Sequence, residues 1–298
     1  MSEAPEPPAA DRYLGIDAGG SNCRARLAAP DGAILGHGGC GPANTGLGLE
    51  ALVETVLAAA REAFAAAGVP WAEAARTSAG IGIAGLSRSG ARAFLDAAPW
   101  PFARSAFATD AVIANLGAHG GEDGATLVLG TGSVAILTVA GRSWTIGGYG
   151  FPISDEGSGA ALGLSAMRHA LRALDGRTVK TALSTAITER FEHDPVRAIA
   201  WMDGAAPRDY AQFAPLVMDH ADAGDAIARS IVEDAAGHVE RFIETIFAAG
   251  APRCALAGGL APRMLPWLRA RTGRLLSEPR GDALDGALHL AGLALSPG

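Results

Sequence analysis

The chain has 298 residues, of which 49% are apolar and 18% are charged, so it is too apolar to be disordered and long enough for a sizeable core. Its 24 basic and 31 acidic residues give a net charge of −7, which disfavours partners such as nucleic acid or an anionic membrane. Glycine is over-represented, with 40 residues where an average chain has roughly 7%. With only 17 prolines and no Gly-X-Y repeat, these glycines predict tight turns rather than a collagen or a linker.

Other residue types exclude several kinds of site. Lys180 is the only lysine and no glycine loop precedes it, which excludes a P-loop. Cys23, Cys40 and Cys254 are far apart, which predicts reduced thiols, a cytoplasmic location, and neither a zinc nor an iron–sulfur site. Residues 1–11 are acidic and proline-rich, so we expect a disordered tail there rather than a signal peptide, and no apolar run is long enough for a membrane span.

The first half of the chain predicts a meander followed by alternating helices and strands. A glycine-rich turn joins the first two apolar runs, and Pro30-Asp31-Gly32 joins the second to the third, which is typical of antiparallel hairpins. Helical apolar spacing follows and stops at Gly68, a suitable residue for a helix C-terminus. The predicted strands are Tyr13–Ala18, Cys23–Ala29, Ala33–Gly36, Thr77–Leu86 and Phe107–Asp110, and the predicted helices are Leu47–Ala67 and Ala111–Leu116.

The same order of elements returns in the second half, which predicts two lobes with a duplicated βββαβα plan. The predicted lobes are residues 12–117 and 118–281, with a helix over 282–298 returning toward the first lobe. The oligomeric state is open, although the alanine-rich helices of the second half would suit a homodimer. The predicted strands here are Thr126–Leu129, Val134–Val139, Ser143–Ile146 and Arg253–Ala257, with a helix from Pro262.

Three glycine turns, Asp17–Asn22, Gly130–Ser133 and Ala257–Gly259, each follow an apolar strand. Glycine allows backbone N–H groups to approach an anion closely, and neighbouring hydroxyls add donors. The first two turns could hold a polyphosphate without a lysine, and the third could take the nucleoside. Asp17 could bind magnesium, which uses one or two carboxylates together with phosphate oxygens. Ordinary hairpin turns are the alternative for each turn alone, but they explain the ordered set of three poorly.

Further segments could bind a second substrate. Asp110 lies at a strand end before a helix, where it could accept a hydroxyl proton in phosphoryl transfer. The alternative is a helix N-cap, which is the commoner role for a lone aspartate there. The aromatic–glycine loop Gly147–Phe151 leads to Asp155 and Glu156, which we expect to begin a helix. The two carboxylates suit the hydroxyls of a sugar, and the aromatic loop suits its apolar face. The alternative is an ordinary capped helix start. Asn44 could likewise be a ligand or form an Asx-turn.

Together these motifs resemble the BadF/BadG/BcrA/BcrD ATPase family, and within it the N-acetylglucosamine and glucosamine kinases of the actin-like sugar kinase superfamily. The resemblance extends from about Tyr13 to the C-terminus. It implies an α/β, two-lobed actin-like ATPase (ribonuclease H-like) fold, with duplicated βββαβα lobes, a five-stranded sheet in each lobe, and a cleft between them that binds ATP, Mg2+ and an amino sugar. The motifs are Asp17-Ala-Gly-Gly-Ser21, Ala43-Asn44, Thr109-Asp110-Ala111, Leu129-Gly-Thr-Gly-Ser133, Gly148-Tyr149-Gly150, Ser154-Asp-Glu-Gly-Ser158 and Ala257-Gly-Gly-Leu260.

The resemblance also implies a role for each matched residue. Asp110 would be the catalytic base that takes the proton from the sugar 6-hydroxyl, and Asp17 would bind magnesium. The implied sugar-binding residues are Asn44, Thr45, Asp110, Ser133, Gly148, Tyr149, Gly150 and Asp155. The implied ATP-binding residues are Gly19, Gly20, Ser21, Asn22, Gly130, Thr131, Gly132, Gly258 and Gly259.

The sequence departs from the family pattern at two positions of the predicted sugar loop. Tyr149 stands where relatives often have tryptophan, and Ser154 where glycine is usual, which leaves the choice between N-acetylglucosamine and glucosamine open. The paired cysteines of the radical-dehydratase activators and the zinc motif of the ROK sugar kinases are absent from the sequence. A regulatory ATPase that senses a sugar or acyl thioester, and a kinase of another small sugar, are the alternatives.

Overall fold

The computed structural model describes residues 10–19 and 22–294. Most of the predicted tail, and the predicted ATP-binding residues Gly20 and Ser21, lie outside this range. The chain forms two compact units. Unit 1 comprises residues up to Glu122 and those from Pro279 onward, and unit 2 comprises Asp123–Glu278. The sequence-based boundaries are 117/118 and 281/282.

The strands and α-helices of the described residues overlap most of the predicted elements. The strands are β1 (Arg12–Ala18), β2 (Cys23–Ala28), β3 (Ile34–Cys40), β4 (Thr77–Ile83), β5 (Arg104–Thr109), β6 (Gly124–Leu129), β7 (Ser133–Val139), β8 (Arg142–Gly147) and β9 (Cys254–Ala257). The helices are α1 (Leu49–Ala66), α2 (Ala91–Ala97), α3 (Asp110–Ala118), α4 (Gly159–Leu174), α5 (Ala182–Glu189), α6 (Pro195–Gly204), α7 (Pro207–Ala211), α8 (Ala214–Asp222), α9 (Ala226–Ala248), α10 (Ala261–Met264), α11 (Ala270–Gly273) and α12 (Ala283–Ala291).

Unit 1 is built on a five-stranded mixed sheet in the order β3-β2-β1-β4-β5. The first three strands are the predicted antiparallel meander, and β4 and β5 continue the sheet in parallel with β1. Strand β3 continues to Cys40, beyond the predicted end at Gly36, because its glycines let it lie directly under α1. A Cβ at Gly38 would lie 2.1 Å from the carbonyl oxygen of Ala59 in α1.

Helix α12 packs on the other face of the unit 1 sheet, at positions where the strands carry glycine. A Cβ at Gly15 of β1 would lie 2.6 Å from the Leu284 carbonyl oxygen, and one at Gly80 of β4 would lie 2.0 Å from that of Ala287. Arg26 of β2 fastens the start of the helix, because its Nη1 donates to Asp282 at 3.0 Å and to Asp285 at 2.5 Å. The C-terminal helix is therefore an integral layer of unit 1.

Unit 2 is built on a mixed sheet in the order β8-β7-β6-β9, in which only β9 is parallel to its neighbour. The expectation of five strands in this lobe is wrong for the described residues, since the sheet has four. Leu276 forms only an isolated parallel bridge with Cys254 at the place where a fifth strand would start, and the Ser277 N–H donates to the Cys254 carbonyl at 2.8 Å. The segment is too short to extend this pairing into a strand.

The core of unit 2 lies between this sheet and helices α4, α5, α8 and α9. Helix α9 is the longest, and its buried positions recur at helical spacing from Ala228 to Ile246. Within the described part of the chain, no helix combines the length and the apolar character that a bilayer crossing requires.

Candidate active site

Asp17 lies at the carboxyl end of β1, directly opposite Arg24 of β2. The Arg24 Nη2 donates to Asp17 Oδ2 at 2.6 Å, so one carboxylate oxygen is held by a cation and the other has no hydrogen bond within the described residues. The turn between the strands is closed at its base, because the Gly19 N–H donates to the Asn22 carbonyl at 3.0 Å. The Ala43 N–H donates to the Gly19 carbonyl at 3.0 Å, which joins this turn to the segment that carries Asn44.

Asp110 is the first residue of α3, and Thr109 is the residue that caps the helix. The Thr109 hydroxyl accepts a hydrogen bond from the Val112 N–H at 3.2 Å, so the alternative role of Asp110 as the N-cap is wrong. The Asp110 carboxylate accepts the Ala111 N–H at 2.9 Å through Oδ1, and the backbone N–H of Asp110 itself also interacts with it. Its second oxygen is uncommitted within the described residues, as a proton acceptor requires.

The environment of Asp110 makes its carboxylate more basic. Burial raises its pKa, the N–H of Ala111 lowers it, and the negative charge of Asp17 raises it, with a net shift above the ordinary 3.8. Both carboxylates lie at the carboxyl ends of their strands on the same edge of the unit 1 sheet, since β1 and β5 both run parallel to β4. A carboxylate with a raised pKa is a better general base than an unperturbed one.

The donor set around Asp17 fits magnesium better than a metal held by protein alone. Across residues 10–19 and 22–294, no group of three or more His, Cys, Asp or Glu side chains could hold a metal ion. Mg2+ keeps several waters and is commonly bound by one or two carboxylates together with substrate phosphates. Asp17, with one oxygen uncommitted, suits this mode.

The turn at Asn44 combines a structural role with free donors. The Asn44 side-chain oxygen Oδ1 accepts the Gly46 N–H at 2.9 Å, so the predicted Asx-turn is confirmed. Its side-chain amide group has no hydrogen-bond partner in the described part of the chain. The neighbouring Thr45 hydroxyl donates to the Gly85 carbonyl at 3.0 Å, which ties this turn to the segment after β4.

In unit 2, the turn between β6 and β7 (Gly130–Ser133) connects two other predicted segments. The first two N–H groups of α4 donate to the carbonyls of Gly130 and Thr131 at 2.8 and 3.1 Å. The Leu260 N–H, just after the predicted adenosine turn, donates to the Leu129 carbonyl at 3.0 Å. The structure therefore brings the predicted phosphate turn, the D-E-G-S segment and the predicted adenosine turn of this unit together.

The adenosine turn requires glycine at position 258. Gly258 has φ +91°, and a Cβ there would lie 2.3 Å from the Leu129 carbonyl oxygen. Gly259 has open space around it and is exposed, as a residue at a ligand-facing turn would be. At position 258 a side chain would overlap the backbone, whereas at position 259 the absence of a side chain leaves room for a ligand to approach the backbone.

Asp155 and Glu156 precede α4 instead of beginning it, so that expectation is wrong. Asp155 has φ +67° and Gly157 has φ +75°, left-handed values that no α-helix contains. The helix begins at Gly159 with Ser158 as its N-cap. This irregular backbone aims the Asp155 carboxylate back at the turn between β6 and β7, where Oδ1 accepts the Ser133 N–H at 3.4 Å.

Ser133, a predicted sugar ligand, is buried and has a structural partner. Its hydroxyl donates to the Glu156 carbonyl at 2.8 Å, which fastens the D-E-G-S segment to β7. The hydroxyl proton is thereby committed within the protein, and only its oxygen lone pairs are left for a ligand.

The aromatic–glycine loop exposes one aromatic ring and packs the other, which is half-buried, against a helix. Gly147, Gly148 and Gly150 have φ values of +72°, +72° and +97°, which only glycine adopts easily. Between them Tyr149 is 84% exposed. The Phe151 ring packs against Tyr210 with centroids 5.0 Å apart, which anchors the loop to α7.

Sequence reasoning did not single out Arg24 or the cap at Thr109. The register of the first hairpin pairs Asp17 with Arg24, so the Arg24 contact was accessible from the turn position. The sequence signal for the Thr109 cap was its hydroxyl one residue before the helix. Asp110 beside it is an equally suitable cap residue, so the sequence did not distinguish the two.

Comparison with known proteins places the chain among sugar kinases of this fold. The model of the BadF/BadG/BcrA/BcrD ATPase family matches residues 14–270. The glucosamine kinase GspK of Vibrio cholerae is 38% identical over 281 residues, which cover 94% of this chain and 95% of that protein. The N-acetylmuramic acid/N-acetylglucosamine kinase of Clostridium acetobutylicum is 27% identical over 75% of each chain.

Solved structures agree with the sequence comparisons. A candidate N-acetylglucosamine kinase from Chromobacterium violaceum superposes with a TM-score of 0.83 at 33% identity, covering 95% of this chain and all of that one. A ROK hexokinase from Thermus thermophilus, at 20% identity and a TM-score of 0.55 over 95% of this chain and 98% of its own, shares the fold. The predicted α/β fold of the actin-like ATPases is confirmed, and the chain belongs to the BadF/BadG/BcrA/BcrD ATPase family.

Proposed function

We propose that this protein is an ATP-dependent amino-sugar kinase that phosphorylates the 6-hydroxyl of glucosamine or N-acetylglucosamine. Family membership and the 38% identity to a glucosamine kinase over nearly the full chain support this activity. The observation that carries the chemistry is the state of Asp110. Thr109 caps the helix in its place, so the Asp110 carboxylate is not used as the cap, and its pKa is raised.

In the proposed reaction, Asp110 accepts the proton of the sugar hydroxyl as that oxygen attacks the γ-phosphorus, while the bond from the γ-phosphorus to the bridging oxygen breaks and ADP leaves. ATP supplies the phosphoryl group, and Mg2+ offsets its charge. Since little covalent chemistry is needed from the protein, catalysis is positioning and charge stabilisation. The Asn44 amide group and the Asp155 carboxylate bind sugar oxygens, and Tyr149 offers its exposed ring to the sugar's apolar face.

The nucleotide is held by backbone groups rather than by a lysine. The N–H groups of Gly19–Asn22 and Gly130–Ser133 bind phosphate oxygens, with the hydroxyls of Ser21 and Thr131 as further donors. Gly258 and Gly259 bind adenosine, and Asp17 is the protein ligand of Mg2+. A cytoplasmic location and a homodimer remain predictions.

Of the two amino sugars, we favour glucosamine as the acceptor. The relative named a glucosamine kinase is 38% identical over 94% of this chain, whereas the two proteins named above for N-acetylglucosamine are 33% and 27% identical over 95% and 75% of it. A panel of glucosamine, N-acetylglucosamine, glucose and mannose, with phosphate transfer from labelled ATP, tests this. A kcat/KM at least tenfold higher for N-acetylglucosamine would reverse the assignment, and ATP hydrolysis independent of any sugar would favour the regulatory ATPase.

The role of Asp110 is tested by Asp110→Asn, with Asp96→Asn as the matched control. Asp96 is an exposed carboxylate of unit 1 whose only ion pair within the described residues is with Arg92, so its loss should leave turnover unchanged. We expect Asp110→Asn to lower kcat by about 10²–10⁴-fold, the usual contribution of general-base catalysis, with ATP affinity within threefold of wild type. Turnover within tenfold of wild type would contradict the role.

A further inference from the structure

Two cysteines face each other at the base of the first glycine turn. Cys23 and Cys40 are direct cross-strand partners at the ends of β2 and β3. Directly opposed residues of an antiparallel pair have Cβ atoms about 4.5–5.5 Å apart, and a disulfide needs about 3.5–4.5 Å, so a small closure of the strands brings the sulfurs into bonding range. A charge on Cys40 also affects the ionisation of Cys23, which indicates that the two thiols are close.

The two thiols differ in access. Cys40 is exposed at the end of β3, the edge strand of the sheet, whereas Cys23 is fully buried in the core of unit 1. Burial raises the pKa of the Cys23 thiol to about 12, with smaller contributions from Cys40 and Asp17, so it stays protonated and resists direct oxidation. Cys40 is therefore the thiol that a solvent oxidant reaches first, and Cys23 is placed to react with it second.

Both cysteines adjoin segments with a predicted ligand role. Cys23 follows Asn22 of the first glycine turn, and its N–H donates to the Gly41 carbonyl at 2.9 Å. Gly41 follows Cys40 and begins the segment that leads to Asn44, which is joined to the same turn at Gly19. A covalent bond between the cysteines would constrain the root of the turn and the start of the Asn44 segment together.

We propose that Cys23 and Cys40 are a redox-modification site that forms a reversible disulfide under oxidation by a peroxide or a small disulfide, and that this bond restrains the first glycine turn. With hydrogen peroxide, the Cys40 sulfur attacks the O–O bond and becomes a sulfenic acid, releasing one water. The Cys23 sulfur then attacks the Cys40 sulfur, the Cys23 proton passes to the departing sulfenic oxygen, and that oxygen leaves as a second water. Two thiols are oxidised and one peroxide is reduced, and a dithiol reductant reverses the reaction.

The effect on turnover follows from the small closure required. A displacement of about 1 Å at groups that position a reacting substrate can cost on the order of 10²-fold in rate. We therefore expect the oxidised protein to lose at least tenfold in turnover and to recover it with dithiothreitol. This consequence rests on the proposed kinase function, whereas formation of the bond does not.

The bond is tested by treating the full chain with hydrogen peroxide, blocking free thiols under denaturing conditions, and measuring intact mass and cross-linked peptides. We expect a loss of two hydrogens, a linked peptide pair containing Cys23 and Cys40, and one blocked thiol, that of Cys254. Cys40→Ser should prevent the link, and because Cys40 is exposed the substitution should leave the fold intact. Cys254→Ser is the matched control, since Cys254 is buried in unit 2 and should leave the link intact.

Three results would overturn the proposal. They are an absence of the intramolecular link in the wild type, a Cys40–Cys40 link between two chains instead, and an oxidised protein with the link but unchanged turnover. Absence of kinase activity in the reduced protein would contradict the proposed function, while the mass measurement would still decide whether the disulfide forms.

Discussion

The crossing of α3 and α12 leaves no space for a side chain at Gly286, and Gly286→Ala measures how much depends on that contact. A Cβ at Gly286 would lie 1.8 Å from the Ile113 carbonyl oxygen and 2.6 Å from the Gly117 nitrogen. Both neighbours are backbone atoms, so no rotamer change can relieve the overlap. Ordinary contact begins at 3.4 Å, so the helices must separate by about 1.6 Å.

The expected loss of stability is the difference between two opposing effects. Overpacking that moves backbone costs about 3 kcal/mol, the upper end of the usual range, because a whole helix must shift. Replacing a helical glycine by alanine gains about 1 kcal/mol in helix propensity. The net destabilisation is about 2 kcal/mol, which corresponds to a Tm roughly 3 °C lower for cooperative unfolding of the 298-residue chain.

Gly237→Ala is the matched control, because Gly237 lies inside α9 and a Cβ there would have open space. It has the same gain in propensity and no clash, so its Tm should equal or exceed that of wild type. Both variants are compared by calorimetry and urea unfolding, with kcat measured well below Tm. Since α3 begins at Asp110, separation of the helices should also lower kcat for Gly286→Ala by at least tenfold. Equal Tm values for the two variants would refute the packing argument.

Two further predictions concern titrating carboxyls. Because the pKa of Asp110 is raised, the acid limb of the kcat/KM profile should lie above the ordinary carboxyl value of 3.8, with activity falling as pH falls through it; a limb at or below that value would contradict the assignment. Glu240 is 4% exposed and accepts the Arg269 N–H at 2.7 Å. Burial alone would raise the pKa of Glu240, but its hydrogen bonds with Arg269 and Thr272 and the charge of Arg269 outweigh burial and hold the pKa below the usual range. Its stabilisation is present above the unfolded pKa and lost as pH falls through the lower folded value, so the cost of Glu240→Gln by urea unfolding should be about 2 kcal/mol at pH 7 and should decrease steadily as the pH falls below the ordinary carboxyl value of 4.5. A cost independent of pH would show that packing, not charge, is responsible.

Much of the site could be predicted because turns and caps depend on local backbone chemistry. Gly258 and the glycines around Tyr149 adopt left-handed φ values, so their positions in the sequence already identify the turns. Asp110 was recognisable as a polar residue at a strand end. The same local rules failed where two residues compete, since Thr109 and Asp110 are both good caps and only the folded backbone selects Thr109. They failed again at Asp155, which local pattern assigns to a helix and which adopts φ +67°.

The sequence by itself determined the order of strands and helices, the glycine turns, and the family to which the chain belongs. These depend on periodicity and on φ preferences, which act over a few residues. The return of the C-terminal helix toward the first lobe was also predicted, but only the tertiary structure decided that α12 packs at Gly15 and Gly80 and that the sheet of unit 2 has four strands rather than five. It also decided which partners the candidate site residues have, such as Arg24 for Asp17. Such contacts join segments far apart in the chain, and the geometry that sets them exists only once the sheets and helices have packed.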